Sequence, residues 1–356
     1  MRPALGILLG VLLLASAGAA FPPQQQAQQP PPPPTAPPGT VQNPQAPLTV
    51  VRVSEVDMIL AVVNRGQKFI TDLEKSDFRV FEDNQQQEVR FFARQTDLPL
   101  RVALLLDTSN SIRSRLQFEQ DAAIDFLYNV LRPERDQAFL MIFDSEPEVV
   151  QGYTNDLEVL KNSIAAQRAG GGTALYDAMV RASQMLVNAP LPKSGPAEVR
   201  RVLVVISDGE DNLSSLTRAD AIDTAQRSGV VIYSISTSIQ WIVPEESTDP
   251  NKRFNRKFAK TDGDKVLDAF STETGGRAFF PYRVDDVAQD FLDISTELRS
   301  QYLLGYAPAN GALDGKFHKV KIEIPGNKDL EVRTRKGYYA VPPVVVTRTM
   351  GGNPGQ

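Results

Sequence analysis

Two segments of the chain, Val102–Leu106 and Val202–Ile206, are uninterrupted runs of apolar residues. Such runs are typical of strands that are buried on both faces of a parallel sheet. Between and after them, strand-like runs alternate with segments of helical spacing, and this alternation indicates βαβ units. The predicted elements are strand 102–106, helix 118–131, strands 138–143 and 148–150, helices 157–166 and 173–186, strand 202–206, helix 218–227, strand 230–234, helix 266–272, strand 277–280 and helix 287–298.

This order of elements predicts an α/β fold that is doubly wound and Rossmann-like, with a mostly parallel six-stranded sheet. The strand at 148–150 follows a turn at 144–147 and is expected to be an antiparallel edge strand. In the sheet order 3-2-1-4-5-6, the first and fourth strands are neighbours at the point where the order reverses. The loops that follow Leu106 and Ile206 are therefore expected to lie side by side. Residues 239–262 are predicted to be a long polar loop, and its Trp241 either packs on the sheet or is an exposed binding residue.

The two flanks of this region have a different pattern, in which apolar and polar residues alternate as they do in half-buried strands. Turn residues separate the predicted strands, for example Asp83–Asn84 and Gly326–Asn327. The flanking strands are predicted at 50–53, 58–63, 78–82 and 89–92, and then at 302–306, 318–324 and 330–334. We interpret both flanks as parts of one immunoglobulin-like β-sandwich into which the α/β domain is inserted. Two separate small β elements are the alternative.

The N-terminus has the pattern of a secretory signal peptide: Arg2, an apolar stretch at 5–14, and then small residues. An uncleaved anchor is the alternative, although the stretch is shorter than the roughly 20 residues of a spanning helix. No other segment is predicted to span a membrane. The predicted organisation is a signal peptide at 1–20, a disordered Pro/Gln-rich linker at 21–47, sandwich strands at 48–97, the α/β domain at 98–299, further sandwich strands at 300–341 and a flexible tail at 342–356.

The composition excludes several classes of function. The formal net charge of −5 argues against a nucleic-acid partner, which would require a basic surface. The chain has no cysteine, so disulfides, thiolate metal sites and cysteine nucleophiles are excluded. It has a single histidine, His318, so a multi-histidine zinc site is excluded as well. An exported chain without cysteine fits a bacterial protein that is secreted or periplasmic.

Polar residues follow both apolar strands. Asp107, Ser109 and Ser111 form an Asp-x-Ser-x-Ser pattern after the first strand, and Asp208 follows the second. Thr173 adds a third hydroxyl after three glycines. Carboxylate and hydroxyl oxygens are hard ligands that suit a cation such as Mg²⁺. The simpler explanations are helix capping by the two serines, a mobile glycine loop, and a plain turn at Asp208. Residues 210–212, which are also polar, are interpreted as a solvated loop, with a rim of negative charge or a second layer of residues around the metal as the alternative.

Together, these residues resemble the metal-ion-dependent adhesion site of a von Willebrand factor type A domain, and the resemblance covers residues 98–299. The resemblance implies that Ser109 and Ser111 bind the metal directly, that Thr173 binds directly or through water, and that Asp107 and Asp208 often act through water. It implies Mg²⁺ as the ion, with Mn²⁺ or Ca²⁺ as alternatives, and a protein partner that presents an Asp or Glu to it. More loosely, the flanks resemble secreted bacterial proteins related to this domain, of the kind abundant in acidobacteria.

Enzymatic activity is not expected, and no catalytic residue is assigned. The loop at 170–173 lacks the lysine of a phosphate-binding loop, and no Gly-x-Ser-x-Gly motif occurs. The expected function is divalent-cation-dependent binding of a protein. The alternatives are an envelope scaffold in which the metal is structural and, with less support, a metal-dependent hydrolase.

Overall fold

The structure, a computed structural model, describes residues 55–94, 98–192, 199–238, 241–244, 256–281, 284–309 and 314–340. The predicted signal peptide, the linker, the strand at 50–53 and the tail at 342–356 lie outside the described residues. Within these residues, no helix has both the length and the apolar character needed to cross a bilayer.

The strands and helices are numbered in chain order. The strands are β1 (Val56–Asn64), β2 (Arg79–Glu82), β3 (Gln85–Gln87), β4 (Val89–Arg94), β5 (Leu100–Asp107), β6 (Gln137–Phe143), β7 (Pro147–Thr154), β8 (Arg200–Ser207), β9 (Val231–Ser236), β10 (Trp241–Pro244), β11 (Arg256–Ala259), β12 (Ala278–Phe279), β13 (Tyr302–Tyr306), β14 (Phe317–Glu323), β15 (Leu330–Thr334) and β16 (Gly337–Tyr339). The helices are α1 (Leu116–Val130), α2 (Leu157–Ala165), α3 (Leu175–Val187), α4 (Arg218–Arg227), α5 (Asp262–Thr274) and α6 (Val284–Arg299).

The central sheet has six strands in the order β12-β9-β8-β5-β6-β7, and all neighbours are parallel except β6 and β7. This confirms the predicted doubly wound sheet with one antiparallel edge strand. Both faces are covered by apolar clusters, since Leu104 and Leu106 pack on one side with α1 and α6, and Ala103 and Leu105 pack on the other with α3 and α5. Burial on both faces explains why β5 and β8 are continuous apolar runs.

Three details differ from the sequence-based prediction. Residues 239–262 are not only a loop, because β10 and β11 pair there as an antiparallel hairpin. Helix α5 begins at Asp262 rather than at 266, because Thr261 and Asp264 form a capping box that adds a first turn. The last strand of the sheet is only Ala278–Phe279.

The two flanks form two antiparallel four-stranded sheets, in the orders β15-β1-β13-β4 and β16-β14-β2-β3. Strand β1 lies between β13 and β15, and β14 pairs with β2, so each sheet contains strands from both flanks. The side chains of Met58, Val80 and Leu304 share one buried apolar cluster. The sandwich-like element of the predicted fold is therefore present. Strands β3 and β16 have no predicted counterpart.

Candidate metal centre

The carboxyl ends of β5 and β8 form the floor of the candidate site. The two strands are parallel neighbours with Leu106 opposite Ile206, so the residues that follow them emerge at the same edge of the sheet. Asp107 is the last residue of β5, and Asp208 comes directly after β8. The structure thus brings the two acids together through the sheet order alone, as the sequence predicts.

The Asp107 carboxylate is completely buried and held in place on both oxygens. Its Oδ1 accepts the backbone N–H of Ser109 at 2.8 Å, and its Oδ2 accepts the hydroxyl of Ser207 at 2.7 Å. Burial raises the pKa of Asp107 to about 6, and the hydrogen bonds from Ser109 and Ser207 oppose this effect. A buried anion of this kind gains most from a cation placed beside it.

Ser109, Ser111 and Asp208 form a continuous row of oxygens. The Ser109 and Ser111 hydroxyls are 3.0 Å apart, and the Ser111 hydroxyl donates to Oδ2 of Asp208 at 3.1 Å. Ser109 precedes the short 3-10 helix at 110–112, yet its side chain makes no capping hydrogen bond there. The capping explanation is therefore wrong for Ser109, whose hydroxyl faces the site instead.

Thr173 reaches this cluster through the backbone of its loop. The N–H of Gly170 donates to the carbonyl of Thr108 at 2.8 Å, and the N–H of Asn110 donates to the carbonyl of Gly171 at 3.3 Å. Gly171 has a φ of +77°, a conformation that favours glycine. Within the described residues, the Thr173 side chain makes no hydrogen bond to the other four candidates. Thr173 is nevertheless buried, and its loop is tied directly to theirs.

The loop after Asp208 is more ordered than the prediction of a solvated segment suggests. The Oδ1 of Asn212 accepts the N–H of Thr173 at 2.9 Å. The Oδ2 of Asp211 accepts the N–H of Tyr176 at 3.1 Å, in the first turn of α3. These two side chains hold the Thr173 loop against the Asp208 loop. Their positions in sequence give no sign of this, because the pairing is set by the approach of two distant loops.

Sequence reasoning also missed Arg115 and Glu119, which lie one helical turn apart at the start of α1. The Nη2 of Arg115 is 3.5 Å from Oδ2 of Asp208. Glu119 is fully buried, and neither of its carboxylate oxygens has a hydrogen-bond partner among the described residues. Burial, reinforced by the charge of Asp107, raises the pKa of Glu119 well above its usual range. The neutral form of Glu119 is thereby favoured beside the two acids.

The donor set fits a hard divalent cation. It consists of two carboxylates and three hydroxyls, all of which are oxygen ligands. The Asp107 carboxylate is held on both oxygens by hydrogen bonds that fix its orientation before any ion binds. Ser111 of the cluster and the neighbouring residues Gly171 and Leu213 are exposed, so the site opens onto the surface. The arrangement can hold a cation and leave it accessible to a second molecule.

Comparison with known proteins identifies the domain that carries these residues. Residues 102–210 match the model of the von Willebrand factor type A domain. This chain carries a von Willebrand factor type A domain. The chain is 31% identical over 128 residues to inter-alpha-trypsin inhibitor heavy chain H4 of Sus scrofa, covering 34% of this chain. It is 29% identical over 130 residues to the protein of that name from Homo sapiens. The chain spans only 14% of the length of these curated relatives.

The solved structures similar to this chain include one that is described as a von Willebrand factor type A protein. A von Willebrand factor type A protein from Catenulispora acidiphila has 13% identity and a TM-score of 0.44, covering 74% of this chain and 72% of that one. An aerotolerance-related membrane protein from Bacteroides fragilis has 19% identity and a TM-score of 0.41, covering 56% and 98%. Proximal thread matrix protein 1 from the mussel byssus, with zinc in its metal-ion-dependent adhesion site, has 16% identity and a TM-score of 0.42, covering 60% and 48%.

Proposed function

We propose that this chain is an exported binding protein whose type A domain uses Mg²⁺ to capture a carboxylate on a protein partner. The observation that carries the proposal is the row of oxygens formed by Ser109, Ser111 and Asp208, with spacings of 3.0 and 3.1 Å. These spacings are those of hydrogen bonds between the oxygens. They bring three hard ligands together at one point, where a dication such as Mg²⁺ would replace the hydrogen bonds.

In this proposal the five candidate ligands have two different roles. Ser109, Ser111 and Thr173 supply neutral hydroxyl ligands, and Asp107 and Asp208 supply the negative charge. When bound, an octahedral cation would keep an open position, because two carboxylates and three hydroxyls occupy at most five of its six positions, and an acidic side chain of the partner would complete it. Arg115, whose Nη2 is 3.5 Å from Oδ2 of Asp208, offsets part of the protein's own negative charge, so an external carboxylate meets less repulsion there.

The surface around the site supports binding of a macromolecule rather than catalysis. Leu213 is 51% exposed and lies directly over Gly172, next to the Thr173 loop. An exposed apolar side chain beside a charged centre is suited to contact with a protein surface. His318, the one histidine of the chain, lies on β14 in the sandwich and supplies no general base here. We therefore propose a non-enzymatic role, secreted or periplasmic.

Asp107→Asn should abolish binding of Mg²⁺. The amide keeps the shape of the carboxylate but removes half of the site's formal negative charge, so we expect affinity to fall by about two orders of magnitude or more. Isothermal titration calorimetry of the full chain measures this, with one site expected in the wild type. The matched control is Asp121→Asn, an exposed acid on α1, which should bind as the wild type does. Equal binding by Asp107→Asn would show that the metal lies elsewhere.

Arg115→Met should tighten the same site. The guanidinium pairs with Asp208 and competes with the cation for that carboxylate, while Met preserves the packing of the apolar stem. A partly buried ion pair of this kind is worth about 1 kcal/mol, so the affinity for Mg²⁺ should rise roughly three- to tenfold. Arg113→Met removes an exposed arginine two residues away and serves as the control. Weaker binding by Arg115→Met would mean that Arg115 supports the site instead.

A further inference from the structure

The single histidine of the chain lies among acidic side chains of the β-sandwich, far along the chain from the type A site. His318 is on β14, which pairs with β2 so that Val320 lies opposite Glu82. The turn from β2 to β3 consists of Asp83 and Asn84, both with positive φ. This pairing places the imidazole beside Glu82 and Asp83, although more than 230 residues separate them in sequence.

Three ligand atoms converge at this point. The Nδ1 of His318 is 2.9 Å from Oδ2 of Asp83 and 3.6 Å from Oε1 of Glu82. All three atoms lie within 4.8 Å of one another. With metal–ligand bonds of 2.0–2.1 Å, the ligands of a tetrahedral Zn²⁺ are about 3.3–3.4 Å apart, and the two measured spacings lie on either side of that value.

The other polar atom of each of these residues is already fixed by a hydrogen bond. The Oε2 of Glu82 accepts the hydroxyls of Tyr306 and Tyr338 at 2.7 and 3.1 Å. The Nε2 of His318 is 3.1 Å from Oδ1 of Asp314.

In Asp83, the Oδ1 accepts the backbone N–H of Lys319 at 2.9 Å. Metal-binding side chains are characteristically oriented in this way, with a carboxylate or carbonyl on the far nitrogen of the histidine and hydrogen bonds on the far oxygens of the acids.

We propose that Glu82, Asp83 and His318 form a second metal site, for a transition-metal dication such as Zn²⁺. It is distinct from the type A site in chemistry, because an imidazole nitrogen with two carboxylates favours Zn²⁺ and related ions over Mg²⁺. Two carboxylates and a neutral imidazole balance the charge of the dication. When the ion binds, Nδ1 loses its proton to solvent and donates its lone pair to the metal, while Asp314 retains the hydrogen bond from Nε2.

The site has both an anchored side and an open side. Glu82 is 5% exposed and the His318 side chain 14%, whereas Asp83 is 52% exposed. An ion can therefore enter past Asp83 and leave a fourth position for water. Binding there would join the β2–β3 turn to β14 and so clamp a strand of the N-terminal flank to one of the C-terminal flank.

The uniqueness of His318 gives a direct test. In the full chain labelled with ¹³C-histidine, the imidazole gives one set of NMR signals. We expect one molar equivalent of Zn²⁺ to shift these signals, both in the wild type and in Asp208→Ala, in which the type A site is disabled. Mg²⁺ should leave them unchanged. Asp83→Asn should require roughly tenfold more Zn²⁺ or greater for the same shift, because it removes one ligand charge at an exposed position.

The matched control is Asp329→Asn, an exposed acid in the same sandwich that pairs with Arg65. It should respond to Zn²⁺ as the wild type does. If Zn²⁺ leaves the His318 signals unchanged, or if the two Asn variants respond alike, the cluster is only a set of ion pairs and the proposal is wrong. A shift produced by Mg²⁺ at the concentration that fills the type A site would also overturn it, since the signal would then not report direct ligation.

Discussion

A chain that ends at residue 299 is expected to lose the folded β-sandwich and to aggregate. The deletion removes β13, β14, β15 and β16, so β1 loses the strands on both of its sides and β2 loses one neighbour. The apolar side of β1 is then exposed together with unpaired backbone groups, a combination that promotes association between edges. Soluble yield and binding of a hydrophobic dye, compared with the full chain, measure the effect.

A point substitution tests the same interface without shortening the chain. Leu304 on β13 is completely buried between strands of the N-terminal flank. Leu304→Ala should lower the free energy of unfolding by about 2–5 kcal/mol, because it leaves a cavity in addition to the lost burial. Leu292→Ala, at a position that is 45% exposed on α6, is the control and should change stability little. If residues up to 299 fold as stably as the full chain, the flanks do not depend on each other.

The strands of the central sheet could be predicted because burial leaves a strong signal in sequence, and their order follows from the doubly wound topology. Parallel strands covered on both faces must be apolar at every position, as in Val102–Leu106 and Val202–Ile206. The pairing of β10 and β11 could not be predicted, because each strand has only four residues and the two differ in character, β10 being apolar and β11 half charged. The start of α5 was predicted too late because capping by Thr261, rather than apolar spacing, sets where that helix begins.

The candidate site also contains some residues that could be predicted from the sequence and others that could not. Asp107 and Asp208 are placed by sheet order, which sequence spacing captures. Arg115 and Glu119 have no such signal. A charged residue near the start of a helix is expected from sequence to be exposed to solvent, and only the tertiary structure shows that Glu119 is buried and Arg115 partly buried. His318 is similar, since its acidic neighbours come from a strand pairing across more than 230 residues. The residue types that could bind a metal can be predicted from the sequence. The charged residues that lie beside them can be identified only from the tertiary structure.

Asp208→Ala is expected to abolish capture of the partner and leave the protein folded. The side chain lies on a loop beyond the end of β8, and the core that holds the domain together is formed by the apolar strands. Removing Mg²⁺ with EDTA should have the same effect on capture. It should lower the free energy of unfolding only by the linkage contribution, about 2.7 kcal/mol when the ion is at a hundredfold excess over its dissociation constant.

Pull-down from the source cell's envelope and thermal melting, performed on the same samples, separate the proposed mechanism from its alternatives. Glu210→Ala is the matched control, because it removes an exposed acid two residues from Asp208 and should retain capture. Unfolding of the wild type by EDTA would mean that the metal is structural and that the chain is a scaffold. Capture that persists in EDTA with the fold intact would place the partner on another surface. Loss of capture with an intact fold, in EDTA and in Asp208→Ala alike, is the result that metal-dependent binding of a carboxylate requires, because only then is the cation part of the contact itself.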